Sequence, residues 1–433
     1  MEAIEQVEDF VGWVDTPNVR GTVDIIYSSL VVLITAIWTV LHLNIPLKTE
    51  SWGRVMWRRA RWGFLAIFAP DLLTMIAASQ WLSASKSVRD MARLSEADGW
   101  TLEHAFYANS GGFLLEPKDE PAFPVNAECI HYLVSHGYMP LPKITCEEIW
   151  DKSKADRFAK AFALLQISWM IIQAVARASQ RLALSPLELF TLAFVVSTAM
   201  SYFFWWHKPQ HVETPTTLPC SFSTAKIRAD AGLPAHAPWE DTPLDFVQKA
   251  AQVWERRRPF RSYDLEKQGP SVREEEEEEE KRTPVQRIPD DAILPTQLPL
   301  SVLASLVVPS MIHSCIHLLA WNQEFPTTTE RLLWRISAVV LASVSCFSVG
   351  MVRVLAILGY RGKYNLSWLW VNVGRVPPAE RRWPDIWDYV QALSVLSLVV
   401  ARCYIIVEAI FSLRHLPANV YVTVSWTNFI PHI

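Results

Sequence analysis

Residues 23–43 read VDIIYSSLVVLITAIWTVLHL, an apolar stretch whose one formal charge, Asp24, stands near its start. A bilayer core about 30 Å thick is crossed by roughly 20 apolar residues in a helix, the element that satisfies its own backbone donors and acceptors where water is absent. The stretch has that length and therefore reads as a membrane-crossing helix. Trp38, towards its far end, carries the amphipathic ring that settles at membrane interfaces.

Six further runs share the pattern: Phe64–Leu82, Ala161–Ala176, Leu187–Trp206, Leu298–Trp321, Ile336–Val352 and Tyr389–Phe411. The expected fold is all-α, a polytopic transmembrane helix bundle of about seven spans with two long polar loops. The third run carries Gln166 and Gln173 and the sixth is short, so either also fits an interfacial or re-entrant helix, and the range is about six to eight. The expected organisation is an N-terminal segment 1–22, two spans within 23–82, a partly ordered extramembrane loop 83–160 and spans three and four within 161–206. An extramembrane loop 207–292, three spans within 293–412 and a C-terminal tail 413–433 follow.

Composition agrees. Of 433 residues, 51% are hydrophobic and 19% charged, and the mean hydropathy is positive, which sets lipid rather than water around much of the surface. The 20 Trp suit several interfaces. A net charge of -4 provides no basic surface for nucleic acid. The six Cys form no CxxC pair. The start, MEAIEQVEDFVGWVD, is acidic and lacks the basic region of a cleavable signal peptide, so the first apolar segment is expected to be retained.

Between Arg256-Arg257-Arg258 and Lys281-Arg282, the second loop holds an unbroken acidic run, Glu274 to Glu280, which buries no apolar surface and reads as a disordered solvated spacer. Arg177 and Arg181 sit in the short turn between spans three and four, which makes those helices antiparallel neighbours. Alternation of seven spans places both long loops and residues 353–388 on one side. Its Lys and Arg excess marks that side as cytosolic, whereas a Cys129–Cys146 disulfide or the sequon Asn365-Leu366-Ser367 would make it lumenal. The charge reading is preferred.

Several ordered motifs carry a resemblance. Pro17-Asn-Val-Arg-Gly21-Thr-Val-Asp24, Trp38-Thr-Val-Leu-His42-Leu-Asn-Ile-Pro46, Ala69-Pro70-Asp71, His104-Ala-Phe-Tyr and Gly111-Gly112-Phe113 are among them. Asp151-Lys-Ser-Lys154, Gln166-Ile-Ser-Trp169, Leu187-Glu188-Leu-Phe-Thr-Leu-Ala193, Trp205-Trp206-His207-Lys208-Pro209 and Phe429-Ile-Pro431-His432 continue the series. Together they resemble a large, largely uncharacterised family of fungal multi-pass integral membrane proteins, over nearly the whole chain except the acidic loop. The resemblance implies a fungal source and a membrane location, and no activity.

Ionisable groups inside apolar helices cost at least about 2.5 kcal/mol each on insertion scales, which makes each a functional candidate. The candidates are Asp71, Glu188, Arg402 and Glu408, with Asp24 beside them. Asp71 follows Pro70, which frees a backbone carbonyl. Asp24 and Glu188 stand at helix starts, where a carboxylate also suits the helix dipole. Arg402 and Glu408, six residues apart, occupy different faces of one helix, so Arg402 is expected to meet an acid from another helix, and an Asp71–Arg402 ion pair explains both.

His313 and His317 are spaced i, i+4, which puts both imidazoles on one helix face as metal or haem ligation requires. No second such pair accompanies them, so helix-packing hydrogen bonds are the preferred account and neither metal nor cofactor is expected. His42, His207 and Lys208 stand at span ends beside Trp, as interfacial anchors do. His104 lies in an aromatic loop segment without a nucleophile–base set. GxxxxGK[ST], GxGxxG, GxSxG and HExxH are all absent, which argues against nucleotide-driven transport and hydride chemistry.

Three functions fit. The first is handling of an ion or small molecule, by transport or sensing, at charges inside the bundle. The second is a membrane-embedded enzyme on a lipid-soluble substrate, such as acid-initiated isoprenoid cyclisation with Asp71 as the acid. The third is a membrane scaffold acting through its loops. The partners implied are the lipid bilayer and a small hydrophobic molecule or an ion.

Overall fold

A computed structural model describes residues 10–16, 20–94, 99–153, 157–233, 239, 241–247, 251–252, 284–290, 292–293, 300–323, 325–357 and 386–426. The acidic run Glu274 to Glu280 and the sequon at Asn365 lie outside these residues.

The helices are α1 (Thr22–Val40), α2 (Trp52–Phe68), α3 (Pro70–Met91), α4 (Leu102–Asn109), α5 (Ala127–Ser135), α6 (Cys146–Lys152), α7 (Arg157–Ser179), α8 (Pro186–Trp205), α9 (Thr224–Asp230), α10 (Leu300–Leu318), α11 (Thr328–Ile357) and α12 (Ile386–Phe411). Among the described residues, four helical stretches are long and apolar enough to cross a membrane: Thr22–Val40, Ala161–Ser179, Pro186–Trp205 and Ala392–Arg414. A fifth is added if α2 and α3 count as one broken span.

Helix α8 is the axis of the bundle. Its start carries each local signal: Pro186 in the first turn, Ser185 Oγ accepting from the Glu188 backbone N–H at 3.2 Å, and Glu188 Oε2 accepting from the Ser185 N–H at 2.9 Å. Leu189, Phe190, Ala193, Phe194 and Val195 are buried, and α8 packs against α1, α3, α7, α10 and α12. The surrounding helices keep apolar faces outward: Tyr27, Leu30 and Ile34 on α1, Leu165, Trp169 and Ile172 on α7, and Leu393, Leu396 and Val400 on α12 are all exposed. Their spacing of three or four residues sets each group on one helix face, which suits a hydrocarbon surround.

Contacts sort the bundle into two ends. At the first, Arg20 is ion-paired with Glu188, β1 (Phe10–Val11) pairs antiparallel with β7 (Leu416–Pro417), and Arg414 is ion-paired with Glu330. Fully buried Arg177, closing α7, donates to the carbonyls of Ala183, Val420 and Val422 at 2.7–3.0 Å, so the turn between α7 and α8 is tied to the C-terminal segment. At the second end, the close of α1 meets the close of α8, where Gln210 Nε2 donates to the carbonyls of Thr39 and Leu41.

The described residues of the region 83–160 are folded and lie at the second end. There β2 (Phe113–Glu116) pairs antiparallel with β3 (Phe123–Val125) and parallel with β4 (Thr216–Pro219), so the segments before α7 and after α8 form one sheet. Gly112 lets this sheet approach α4, because a Cβ there would lie 2.5 Å from the Tyr107 ring. A third pair joins β5 (Ala251–Gln252) to β6 (Ala292–Ile293). The all-α expectation therefore needs correcting for short sheets, formed where β-branched and aromatic residues lie between turns.

Three other expectations change. Phe64–Leu82 is not one continuous helix: the chain breaks at Ala69, where Pro70 can neither donate to the ladder nor clear the preceding turn, and α2 and α3 meet at 112°. Both outer ends of that pair face the second end of the bundle, through Arg58 on α2 and Gln80 on α3, each in contact with Asp290. Cys129 and Cys146 are not joined in a disulfide; the former is buried and the latter lies 3.3 Å from Thr101 Oγ1. The N-terminal segment lies with the C-terminal one, opposite the long loops, whereas seven alternating spans would put it beside those loops.

Candidate functional site

Pro70 fixes the position of the first site residue. Helix α3 starts inside the bundle, beside α8, where Thr74 Oγ1 lies 2.8 Å from Ser201 Oγ, and this presents Asp71 to α10 and α12. Arg402 of α12 meets it: Nη2 lies 3.2 Å from Asp71 Oδ2, with both side chains largely buried. Ser310 Oγ of α10 lies 3.3 Å from the same carboxylate oxygen and 2.7 Å from Ser345 Oγ of α11.

The same guanidinium donates through Nη1 to His313 Nε2. His313 Nδ1 lies 3.2 Å from the carbonyl oxygen of Ala193 on α8, and a carbonyl only accepts, so the ring proton is assigned to Nδ1 and the lone pair to Nε2. His317 Nε2 lies 3.2 Å from His313 Nε2, whose single lone pair is shared with Arg402 Nη1, and this contact does not involve His317 Nδ1. That Nδ1 is buried without a hydrogen-bond partner, and so is Asp71 Oδ1. Phe190 and Trp334 enclose the His317 ring, and Trp334 Nε1 donates to the His317 carbonyl at 3.0 Å.

The structure thus joins Asp71, Arg402, His313 and His317 into one chain of polar groups and leaves Glu188 and Glu408 outside it. Glu188 is a helix cap ion-paired with Arg20. Glu408 Oε2 accepts from Tyr404 OH at 3.3 Å, on the side of α12 that faces Glu330 and Arg414. Asp24 is exposed and accepts from the Gly21 N–H at 2.9 Å. Among the described residues no group of three or more His, Cys, Asp or Glu side chains could hold a metal ion, and the His313–His317 pair is spent on Arg402 and on itself.

Sequence reasoning missed a second polar centre. Lys208 is fully buried rather than interfacial, with Nζ 3.0 Å from Asn44 Oδ1 and 2.9 Å from Gln80 Oε1. Burial pushes its ammonium down to about 7, against the opposing pull of Asp290. Asp290 Oδ1 accepts from the Asn44 N–H at 2.6 Å, and Gln80 Nε2 donates to the Asp290 carbonyl at 3.1 Å. His42 is buried there too, 5.5 Å from the Trp205 ring centre. The groups around Lys208, the amides of Asn44 and Gln80 and the carboxylate of Asp290, come from three distant segments, so local sequence gives no sign of them.

Apolar faces outside and a chain of polar and charged side chains inside define a class, the helical bundle suited to a bilayer that keeps charge in its interior. Within that class the chain belongs to a family of unknown function, DUF8562, which it matches over residues 2–225 and 300–433. The matched segments contain every member of the Asp71 network; Asp290 lies between them. No curated protein and no solved structure matches the chain.

Proposed function

We propose that this is a multi-pass membrane protein that handles a proton, another small cation or a small polar molecule at the Asp71–Arg402–His313–His317 network, in transport or in sensing. The observation that carries the reading is the pair of buried polar atoms without hydrogen-bond partners, Asp71 Oδ1 and His317 Nδ1, at the two ends of one continuous polar chain. A purely structural ion pair closes on itself, since an unsatisfied polar atom in an apolar interior costs about 1–3 kcal/mol. Here an unsatisfied polar atom stands at each end, a carboxylate oxygen at one and an imidazole nitrogen at the other, for a proton, an ion or a small polar molecule.

In this reading α1, α7, α8, α10, α11 and α12 cross the bilayer. The α2–α3 pair is re-entrant, with the arginine-rich half of α2 along the interface and Asp71 at the tip. The long loops then share one side, and both terminal segments share the other.

The test is ion movement in vesicles. Purified protein is reconstituted with an entrapped pH indicator, and the decay of an imposed proton or cation gradient is followed. Flux above that of protein-free vesicles, lost in Asp71→Asn and in His317→Phe and kept in Glu188→Gln, supports the reading. Equal flux in all four proteins contradicts the assignment to this network.

A further inference from the structure

At the second end of the bundle a cavity of about 420 Å³ opens between the close of α1, the start of α2 and the segment after α8. Two neighbouring arginines line it, and they differ in their partners. Arg58 is balanced: Nη1 donates to both oxygens of Glu50 at 3.0 and 2.8 Å, and Nε lies 3.5 Å from Asp290 Oδ2. Arg59 is only 7% exposed and has no carboxylate partner among the described residues. Its Nη1 sits 2.7 Å from His211 Nδ1, Nη2 donates to the Trp38 carbonyl at 3.2 Å, and the guanidinium carbon lies 4.1 Å from the Trp38 ring centre. Its Nε is buried with no partner.

A guanidinium removed from water and left without an anion, beside a second arginine, is strongly unfavourable. Its retention there calls for an anion supplied from outside the chain. Leu41, Leu47, Val55 and Val212 line the same cavity together with Lys48, Glu50 and Glu213, so cations, carboxylates and hydrocarbon share its walls, and Glu50 is taken up by Arg58. Trp52, which lines it, and Trp38, against which Arg59 stacks, are 77% and 53% exposed, as aromatic side chains at headgroup depth in a bilayer are.

We propose that this cavity binds the phosphoryl group of an anionic amphiphile, with Arg59 as its principal cation and Leu41, Leu47, Val55 and Val212 against the first carbons of the acyl chains. The planar guanidinium suits a phosphoryl group because its donors match two oxygens at once. The proposal is independent of the Asp71 network and uses the membrane reading only for the source of the anion.

The experiment is calorimetric titration of the full chain, in a non-ionic detergent, with three probes: dihexanoyl phosphatidic acid, inorganic phosphate and dihexanoylglycerol. Phosphatidic acid is expected to bind, the uncharged diacylglycerol to bind weakly or not at all, and Arg59→Gln to weaken the first by at least about tenfold. Arg59→Lys should recover part of the loss, because charge returns without the planar fork. Val55→Trp, which fills the cavity and leaves Arg59 in place, should also abolish binding, and it guards against a fold defect specific to the arginine change. Inorganic phosphate binding as tightly as phosphatidic acid supports a phosphoryl site but assigns it to the free ion and overturns the amphiphile. Undiminished phosphatidic acid binding in both Arg59→Gln and Val55→Trp, or no binding to the wild-type protein, overturns the proposal altogether.

Discussion

Asp71 and Arg402 are 331 positions apart in the chain, yet Asp71 Oδ2 and Arg402 Nη2 lie 3.2 Å apart inside the bundle. Breaking a buried pair by removing one partner strands a charge and costs about 3–5 kcal/mol, whereas removing both costs far less. Asp71→Leu and Arg402→Met should each lower stability in detergent by about 3 kcal/mol. The double variant should lose less than their sum, measured as a double-mutant cycle of denaturation midpoints. Additive losses would mean that the two side chains do not interact.

Lys208 predicts a pH dependence with a definite sign. Its ammonium falls from 10.5 to about 7 on folding because burial disfavours the charge. Between those values the unfolded chain binds the extra proton, so stability should rise as pH increases from about 7 towards 10, by an amount on the order of a few kcal/mol. Lys208→Met should flatten that rise, as read from thermal midpoints of both proteins at pH 7 and pH 9. Parallel pH profiles would refute the assignment.

Gly112 is a steric prediction. A methyl group there would lie 2.5 Å from the Tyr107 ring, which packs between α4 and the β2–β4 sheet. Gly112→Ala should therefore destabilise by about 1–3 kcal/mol through overpacking. Gly137→Ala is a weaker control: nothing lies within 4 Å of its added methyl, and only the left-handed backbone, at φ 72°, opposes it. A Gly112→Ala protein as stable as wild type would contradict this packing.

The re-entrant pair and the shared side of the terminal segments predict a labelling pattern. In a background with the six native cysteines replaced by alanine, cysteines at Ser51, Lys118 and Glu213 should react with an impermeant maleimide from one side of sealed vesicles. One at Asn419 should react only from the other, and so should one at Asp15. Labelling of Asp15 from the side of Lys118 would restore an odd number of crossings.

Which features the sequence revealed follows from how local their causes are. The start of α8 is written within four residues, Ser185 to Glu188, and of these Glu188 was legible as a helix-start carboxylate. Asp71 and Arg402 stood out singly because each is costly inside an apolar run, and chemistry alone suggested that they pair. The break at Ala69–Pro70 was visible as a proline, but continuous hydropathy through Leu82 concealed its consequence. The partners of Lys208 and the isolation of Arg59 were illegible. Asn44, Gln80 and Asp290 gather only in the folded chain, and Arg59, set in Trp57-Arg-Arg-Ala-Arg-Trp62, has the look of an interfacial anchor.

The central claim is that the Asp71 network meets water or ions, and the most direct measurement is the reactivity of a cysteine placed within it. Ser310 lies 3.3 Å from Asp71 Oδ2. In the same cysteine-free background, Ser310→Cys should be modified by a small water-soluble methanethiosulfonate, from one side of the membrane, and at a rate that changes when the transported or sensed ion is added. A Ser310→Cys protein that is folded, yet inert to the reagent from both sides under every ionic condition, would make the network a sealed structural ion pair and contradict the account.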